Sequence, residues 1–157
     1  MVIEDAIQAQ ALFPRWEIVR YLDAVVPWPY PADGARTFYE TVVLPAMERG
    51  EAWHWSIRLR DAPDELVGTI NLKRGERENR GFWVALPWQR RGIATEACAA
   101  VNDFWFDVLG FSVLRVGKAI ANEASRRISA RQGMRLVGTE LRDLVSGRQP
   151  GEIWEIS

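Results

Sequence analysis

Residues 81–97 read GFWVALPWQRRGIATEA, and the fold turns on this stretch. Residues 82–86 are continuously apolar, which predicts a strand covered on both faces. Pro87 stops it. Residues 95–109 then place Ala97, Cys98, Val101, Phe104, Trp105 and Val108 on one helical stripe, with Gly110 as the residue that closes the helix. Between strand and helix stands Gln89-Arg90-Arg91-Gly92-Ile93-Ala94. A helix that starts there leaves several backbone N–H groups unpaired and pointing outward. The helix dipole makes that end favourable for an anion. Gly92 removes a Cβ that would hold a ligand off the backbone, and Arg90 and Arg91 add positive charge. The expected guest is a phosphate or pyrophosphate. Neither a Gly-Lys-Ser/Thr nor a Gly-x-Gly-x-x-Gly pattern is present, so the phosphate loops of nucleotide hydrolases and dinucleotide folds do not fit. A plain turn with two solvated arginines satisfies the same six residues.

Working outward, Trp53, Trp55, Ile57 and Leu59 alternate with His54, Ser56, Arg58 and Arg60, predicting a strand buried on its apolar face. Residues 61–64 are turn chemistry, a second strand covers about 66–73, and 74–80 is a solvated connection. Toward the N-terminus, Pro14 splits an apolar-periodic segment over 5–22 into two short helices. Residues 27–31 (PWPYP) form a stiff loop, and Asp33 is read as the N-cap of a helix ending near Gly50. Downstream come a strand at about 113–120, a helix at about 123–132 ending at Gly133, and a hairpin of 136–145 and 153–156 around the loop 146–151. This order predicts an α/β fold, a mixed, mostly antiparallel sheet with helices on both faces. A crossover links the 82–86 and 113–120 strands in parallel. One domain spans residues 1–157.

Composition narrows the function. The chain has 157 residues, 48% hydrophobic and 26% charged, with a net charge of −1, which argues against a nucleic-acid binder. One cysteine and one histidine make a disulfide or a Cys/His metal site an unfavoured reading, so no metal is expected. No apolar run approaches about 18 residues, and the first ten residues lack a basic segment followed by an apolar one. The expectation is a cytoplasmic protein without a membrane partner.

The hexapeptide QRRGIA resembles the Q/R-x-x-G-x-G/A signature of the GNAT superfamily of acetyl-CoA-dependent N-acetyltransferases. The resemblance extends through WHWSIRL, LVGTINL, GFWVALPWQRRGIATEA and KAIANEASRRISARQGMRLVG. These segments look like the Rim-type branch, whose best-known members acetylate ribosomal-protein N-termini. Asn122, Ser125, Arg127 and Gly133 supply N-x-x-S-x-R-x-x-x-x-x-G. The resemblance implies that the amides of Gln89, Arg90, Arg91, Gly92, Ile93 and Ala94, with Thr95 beside them, hold the pyrophosphate of acetyl-CoA as cosubstrate. Val84, Ala85 and Leu86 would flank the pantetheine arm in a gap between splayed strands, with a backbone N–H near Val84 facing the thioester carbonyl. It implies Asn122 as a pantetheine contact, Ser125 as the group that protonates the departing thiolate, and Asp143 as a carboxylate base. The acceptor would be a primary amine, on a protein N-terminus or a small molecule. A CoA-binding module without turnover, a sensor or partner subunit, is the alternative.

Simpler roles stand beside these. Ser125 could cap its helix, Asp143 could be a solvated strand residue, and Glu96 could complement the helix dipole. His54 could line an acceptor site or be partly buried, and Glu140 and Glu152 are reserve bases. Arg126 and Arg127 could meet the adenosine 3′-phosphate or face solvent. Trp28 could contact an acceptor, whereas Trp53, Trp55 and Trp83 read as core. Cys98 points into the core. Relatives usually carry an edge strand before the first helix, and Met1-Val2-Ile3 is too short to supply one. Either the start is placed late or the strand is lost. An uncovered edge invites pairing with another chain, which leaves a homodimer open.

Overall fold

The computed structural model describes residues 1–157. The elements are helices α1 (Asp5–Leu12), α2 (Trp16–Val19), α3 (Gly34–Phe38) and α4 (Leu44–Glu48), then strands β1 (Ala52–Leu59), β2 (Ala62–Lys73) and β3 (Arg80–Val84). They continue as α5 (Ile93–Asp103), β4 (Leu114–Ala119), α6 (Glu123–Arg131), β5 (Arg135–Leu144) and β6 (Gly147–Ile156). A π-helical segment, Tyr39–Val43, joins α3 to α4, and another, Phe104–Val108, extends α5. Pro14 separates α1 from α2, and the helical run that starts after Asp33 ends before Gly50, as the sequence predicts. Asp33 stands at the N-cap position, but its carboxylate accepts the Thr37 hydroxyl at 3.4 Å rather than a backbone N–H. No helix is long and apolar enough to cross a membrane.

The strands form two three-stranded sheets, ordered β1-β2-β3 and β4-β6-β5, in which every paired neighbour is antiparallel. The expected parallel pairing across α5 is reduced to a clasp at one end. Asn79 N–H donates to the Arg115 carbonyl at 2.8 Å, and Arg115 N–H donates to Asn79 Oδ1 at 2.8 Å. Past the clasp β3 and β4 share no ladder and a gap opens between the sheets.

The main core fills the side of both sheets that carries α5 and α6. Ile70, Leu72, Cys98, Val101, Trp105, Leu114, Val116 and Met134 are buried there. Trp105 stacks on Phe111 at 4.1 Å and donates its indole N–H to the Val113 carbonyl at 2.9 Å, which pins the end of the α5 extension. A second cluster, Ala6, Ala9, Ala35, Tyr39 and Val43, lies between the N-terminal helices, and Trp83 packs against it. Trp53 and Trp55 meet Phe104 edge-on from β1. The three tryptophans are thus core residues.

The polar positions of β1 are covered as well, which the period-two pattern did not suggest. Asp5 of α1, 4% exposed, accepts hydrogen bonds from Ser56 and Arg58. Burial alone would raise its carboxyl. The Ser56 hydroxyl, the Val2 N–H and the Arg58 guanidinium outweigh that and hold it below the usual range. His54 projects from β1 with the same parity and is half-buried. Its imidazole is pushed down to about 4, first by burial and then by the N-terminal amine and Lys73.

The last hairpin is tighter than the sequence predicts. Only Val145 and Ser146 separate the end of β5 at Leu144 from the start of β6 at Gly147. Pro150 is accommodated because it lies one residue beyond the last β4 pair, Ala119 with Gly151, so its missing N–H removes no β4 bond.

Since the folded His54 pKa lies below the unfolded one, its contribution to stability is full above about 6.5 and is lost as pH falls toward about 4. Asp5, with a lowered carboxyl, gives way only in the acid range below that window. Denaturant melts across pH should therefore show a loss between about 6.5 and 4 that His54→Gln flattens. Parallel curves for the two proteins would refute this assignment.

Candidate active site

β3 ends at Val84, two residues before the predicted limit, because Ala85 is already the N-cap of the 3-10 turn Leu86–Trp88 with Pro87 inside it. Ala85 N–H donates to the Val67 carbonyl of β2 at 2.9 Å. Alternation along the ladder therefore turns the Val84 N–H and carbonyl away from β2, toward the gap. The Gln89 side chain folds back and donates to that carbonyl at 2.8 Å, which fixes the loop against the strand. Opposite Val84 stands Gly68. A Cβ there would lie 2.4 Å from the Trp83 carbonyl oxygen and 3.1 Å from Val84 Cα, so only glycine lets β2 approach at this point.

The loop then bends twice through the left-handed region, at Arg90 (φ 62°) and Gly92 (φ 83°). A Cβ on Gly92 would meet no protein atom within 4 Å, so glycine is needed here for its backbone angle, and the space before it is open. Helix α5 starts at Ile93, two residues earlier than predicted. The first α5 bond runs from Glu96 N–H to the Gly92 carbonyl, and the N–H groups of Arg90, Arg91, Gly92, Ile93, Ala94 and Thr95 donate to nothing within the protein. Six consecutive unpartnered donors at a dipole-positive helix end, curved by two left-handed residues, make a concave anion site. A diphosphate fits this donor set, which lies next to the free edge of β3. Glu96 stands in the first turn of the same helix, exposed.

Across the gap, α6 begins at Asn122, whose Oδ1 accepts the Ser125 N–H at 3.2 Å. The helix cap is thus Asn122, and the Ser125 hydroxyl is free for another partner. That partner is Lys118 of β4. Its ammonium donates to Ser125 Oγ at 3.2 Å, to the Ser125 carbonyl at 3.1 Å and to Ser129 Oγ at 2.5 Å. Lys118 is 6% exposed and has no carboxylate partner. Burial, then the nearby Arg80 charge, pushes it down to about 7, although Cys98, Glu152 and Glu78 pull the other way. Arg80, 5% exposed at the start of β3, donates to Asn102 and likewise has no carboxylate beside it. Sequence reasoning missed both cations. Lys118 continues the Leu114-Val116 parity of β4, and only this alternation pointed it inward.

Asp143 lies near the end of β5. Its carboxylate is 73% exposed, 3.7 Å from Arg148, and its carbonyl accepts Ala24 N–H, which ties the segment after α2 to the strand. It borders a cleft of about 570 Å³ on the back of the second sheet, together with Asp23, Glu78, Glu140 and Arg142. The charges in that cleft largely satisfy one another: Arg142 meets Asp23 and Glu78 at 3.0 Å and Glu140 at 2.8 Å. None of residues 89–95 lines that cleft. Glu152 is committed to structure, since Arg126 grips it at 2.8 and 3.0 Å and the Trp154 indole donates at 2.9 Å. Arg126 is thereby occupied too. Arg127 pairs with Glu123 at 3.0 Å on the surface. Trp28 packs on Trp16 at 5.7 Å, both 42% exposed. Cys98 is fully buried, and burial pushes its thiol up.

A profile of the acetyltransferase (GNAT) domain matches residues 1–135. YdaF of Bacillus subtilis (strain 168), provisionally assigned as a ribosomal N-acetyltransferase, is 32% identical over 72 residues. That stretch is 43% of this chain and 39% of the relative. Mycobacterium smegmatis RimJ, solved with CoA-disulfide, superposes with a TM-score of 0.82 at 19% identity, covering 99% of this chain and 78% of that one. A Vibrio cholerae spermidine N-acetyltransferase, solved with CoA and spermine, superposes at 0.81 with 15% identity, over 99% and 91% of the two chains. The splayed sheets, the donor-rich loop before α5 and the profile agree: the chain belongs to the GNAT acetyltransferase family.

Proposed function

We propose that residues 1–157 act as one domain that transfers an acetyl group from acetyl-CoA to a primary amine within a ternary complex. The observation that carries this reading is the run of six unpartnered N–H groups from Arg90 to Thr95 beside the free edge of β3. Bound acetyl-CoA would supply an activated acyl group. The chain's part is to grip, orient and move protons. The amides of residues 90–95 hold the diphosphate, with Gln89 fixing the loop. The β3 edge from Val84 to Leu86 flanks the pantetheine arm, and the Asn122 amide NH₂, still free, faces it from α6. The Val84 N–H offers one fixed donor for charge developing on the carbonyl oxygen. Asp143, directly or through water, takes the proton that the amine must shed, and Ser125 hands one to the departing thiolate.

The acceptor is an amine that is easy to deprotonate near neutrality. A free α-amine, at about 7.7–8.0, costs far less than a lysine at about 10.4, which favours a protein N-terminus over a side chain. The names of the relatives include both ribosomal and polyamine acceptors. A panel of short peptides and small amines in a free-thiol release assay decides between them. Binding of acetyl-CoA without thiol release on any amine would leave a sensor or partner subunit instead.

Acetyl-CoA at about one hundred times its Kd should stabilise the protein by about 2.7 kcal/mol, read as a rise in Tm. Gly92→Asp should abolish that rise, since it sets a negative charge on the anion site while aspartate tolerates the left-handed angle. An unchanged rise would take the loop out of the reading. Ser125→Ala should lower kcat by roughly a hundredfold and leave acetyl-CoA binding near wild type. Equal kcat would retire the hydroxyl as proton donor. Asp143→Asn should lower kcat/KM and alter its pH dependence, and a superimposable profile would clear the carboxylate.

A further inference from the structure

Two buried cations, Arg80 and Lys118, are left unused by the mechanism above, and Lys118 touches Ser125. The chain contains only two lysines, Lys73 and Lys118, in a total of 20 basic residues. Lys73 is exposed at the end of β2, and Lys118 is the buried one. An arginine in this place could not give up a proton, but a lysine can. The three donors of the ammonium meet three oxygens of α6, the Ser125 carbonyl and the Ser125 and Ser129 hydroxyls. A structural role alone would be better served by an apolar side chain, because a buried charge without a carboxylate costs stability.

We propose that Lys118 is the positioning residue behind Ser125, orienting its hydroxyl by donating to Oγ and replacing the proton that the hydroxyl gives away. This rests on the acetyl-transfer reading. As the C–S bond breaks, its electron pair goes to sulfur. Sulfur takes the Ser125 hydroxyl proton, Oγ takes one from the Lys118 ammonium, and the neutral amine is left among α6 oxygens. The proton shed by the acceptor amine goes to base or solvent, and Lys118 recovers one from solvent, so the balance is amine plus thioester giving amide plus thiol. The surroundings suit the exchange. Burial and Arg80 of β3 favour the neutral amine, while Cys98 of α5, Glu152 of β6 and Glu78 before β3 favour the ammonium, and they leave it near 7. The neighbouring cations also favour negative charge on a leaving sulfur.

Two lysines give a two-line spectrum, so the free protein can be tested first. With lysine labelled at ¹³Cε, and Lys73→Arg to assign the lines, Lys118 should titrate near 7, well below the value of about 10.4 for a lysine in water. An ordinary titration for Lys118 would overturn the proposal. Lys118→Met keeps the bulk and removes a buried charge, so it should fold at least as well as wild type. It should lower kcat by roughly tenfold to a hundredfold, leave the KM for acetyl-CoA within about threefold, and abolish the alkaline limb of the kcat–pH profile. The active form is the ammonium, so in wild type the rate falls as pH rises past its pKa. Lys118→Arg, which keeps the charge but not the exchangeable proton, should not restore kcat. The double variant with Ser125→Ala should be no slower than the slower single variant. Wild-type kcat and profile in Lys118→Met, or effects that multiply, would refute the proposal. Failure of the acetyl-transfer reading shows earlier, as wild-type protein that neither gains Tm with acetyl-CoA nor releases thiol.

Discussion

A row of main-chain donors with no acceptor inside the protein is the constraint around which the rest is arranged. Backbone N–H groups are rarely left without partners, and six in succession require either water or a ligand with many oxygens. Every local feature of residues 84–95 serves to keep that row open. Ala85 breaks the strand pattern, Gln89 ties the loop to the Val84 carbonyl, and Arg90 and Gly92 swing the chain through left-handed angles. Gly68 lets β2 lie close against Trp83 and Val84 at the end of β3.

How much of this the sequence discloses depends on how local the cause is. The bend at Gly92, the helical stripe after it as far as Trp105 and the break at Pro14 are written in neighbouring residues and are found where they were read, whereas Val108, expected on the same stripe, is 67% exposed at the end of the π-helical segment. Boundaries slip in both directions: α5 starts earlier, at Ile93, because the Gly92 carbonyl just before it accepts the first helical bond, and β6 continues through Pro150 because the last β4 pair is Ala119 with Gly151. The polar residues of β1 look like a wet face, but Asp5, fifty residues away, turns them into an interface. Glu152 and Arg126 look like separate candidates for chemistry, yet they neutralise one another. For Lys118, nothing nearby in the sequence says that three α6 oxygens will surround it.

The second sheet is asymmetric. Its helix side takes the apolar residues of β4 and then ends in a cation, whereas its back carries the Arg142 ion cluster that joins Asp23, Glu78 and Glu140. That cluster links the segment after α2, the loop before β3 and strand β5. Exposed pairs of this kind contribute little singly, but a network around one largely buried guanidinium holds three segments in register.

The Asn79–Arg115 clasp has a mechanical consequence. With the two sheets fastened at the Asn79 end and β3 paired to β2 along its whole length, any splaying turns the first sheet as a unit about a pivot there, from which β3 reaches roughly 16 Å over its five residues. A rotation of one degree at the pivot moves the far tip by only about 0.3 Å. The width of the opening beside Val84 is thus set by how the whole first sheet is seated at its Asn79 end.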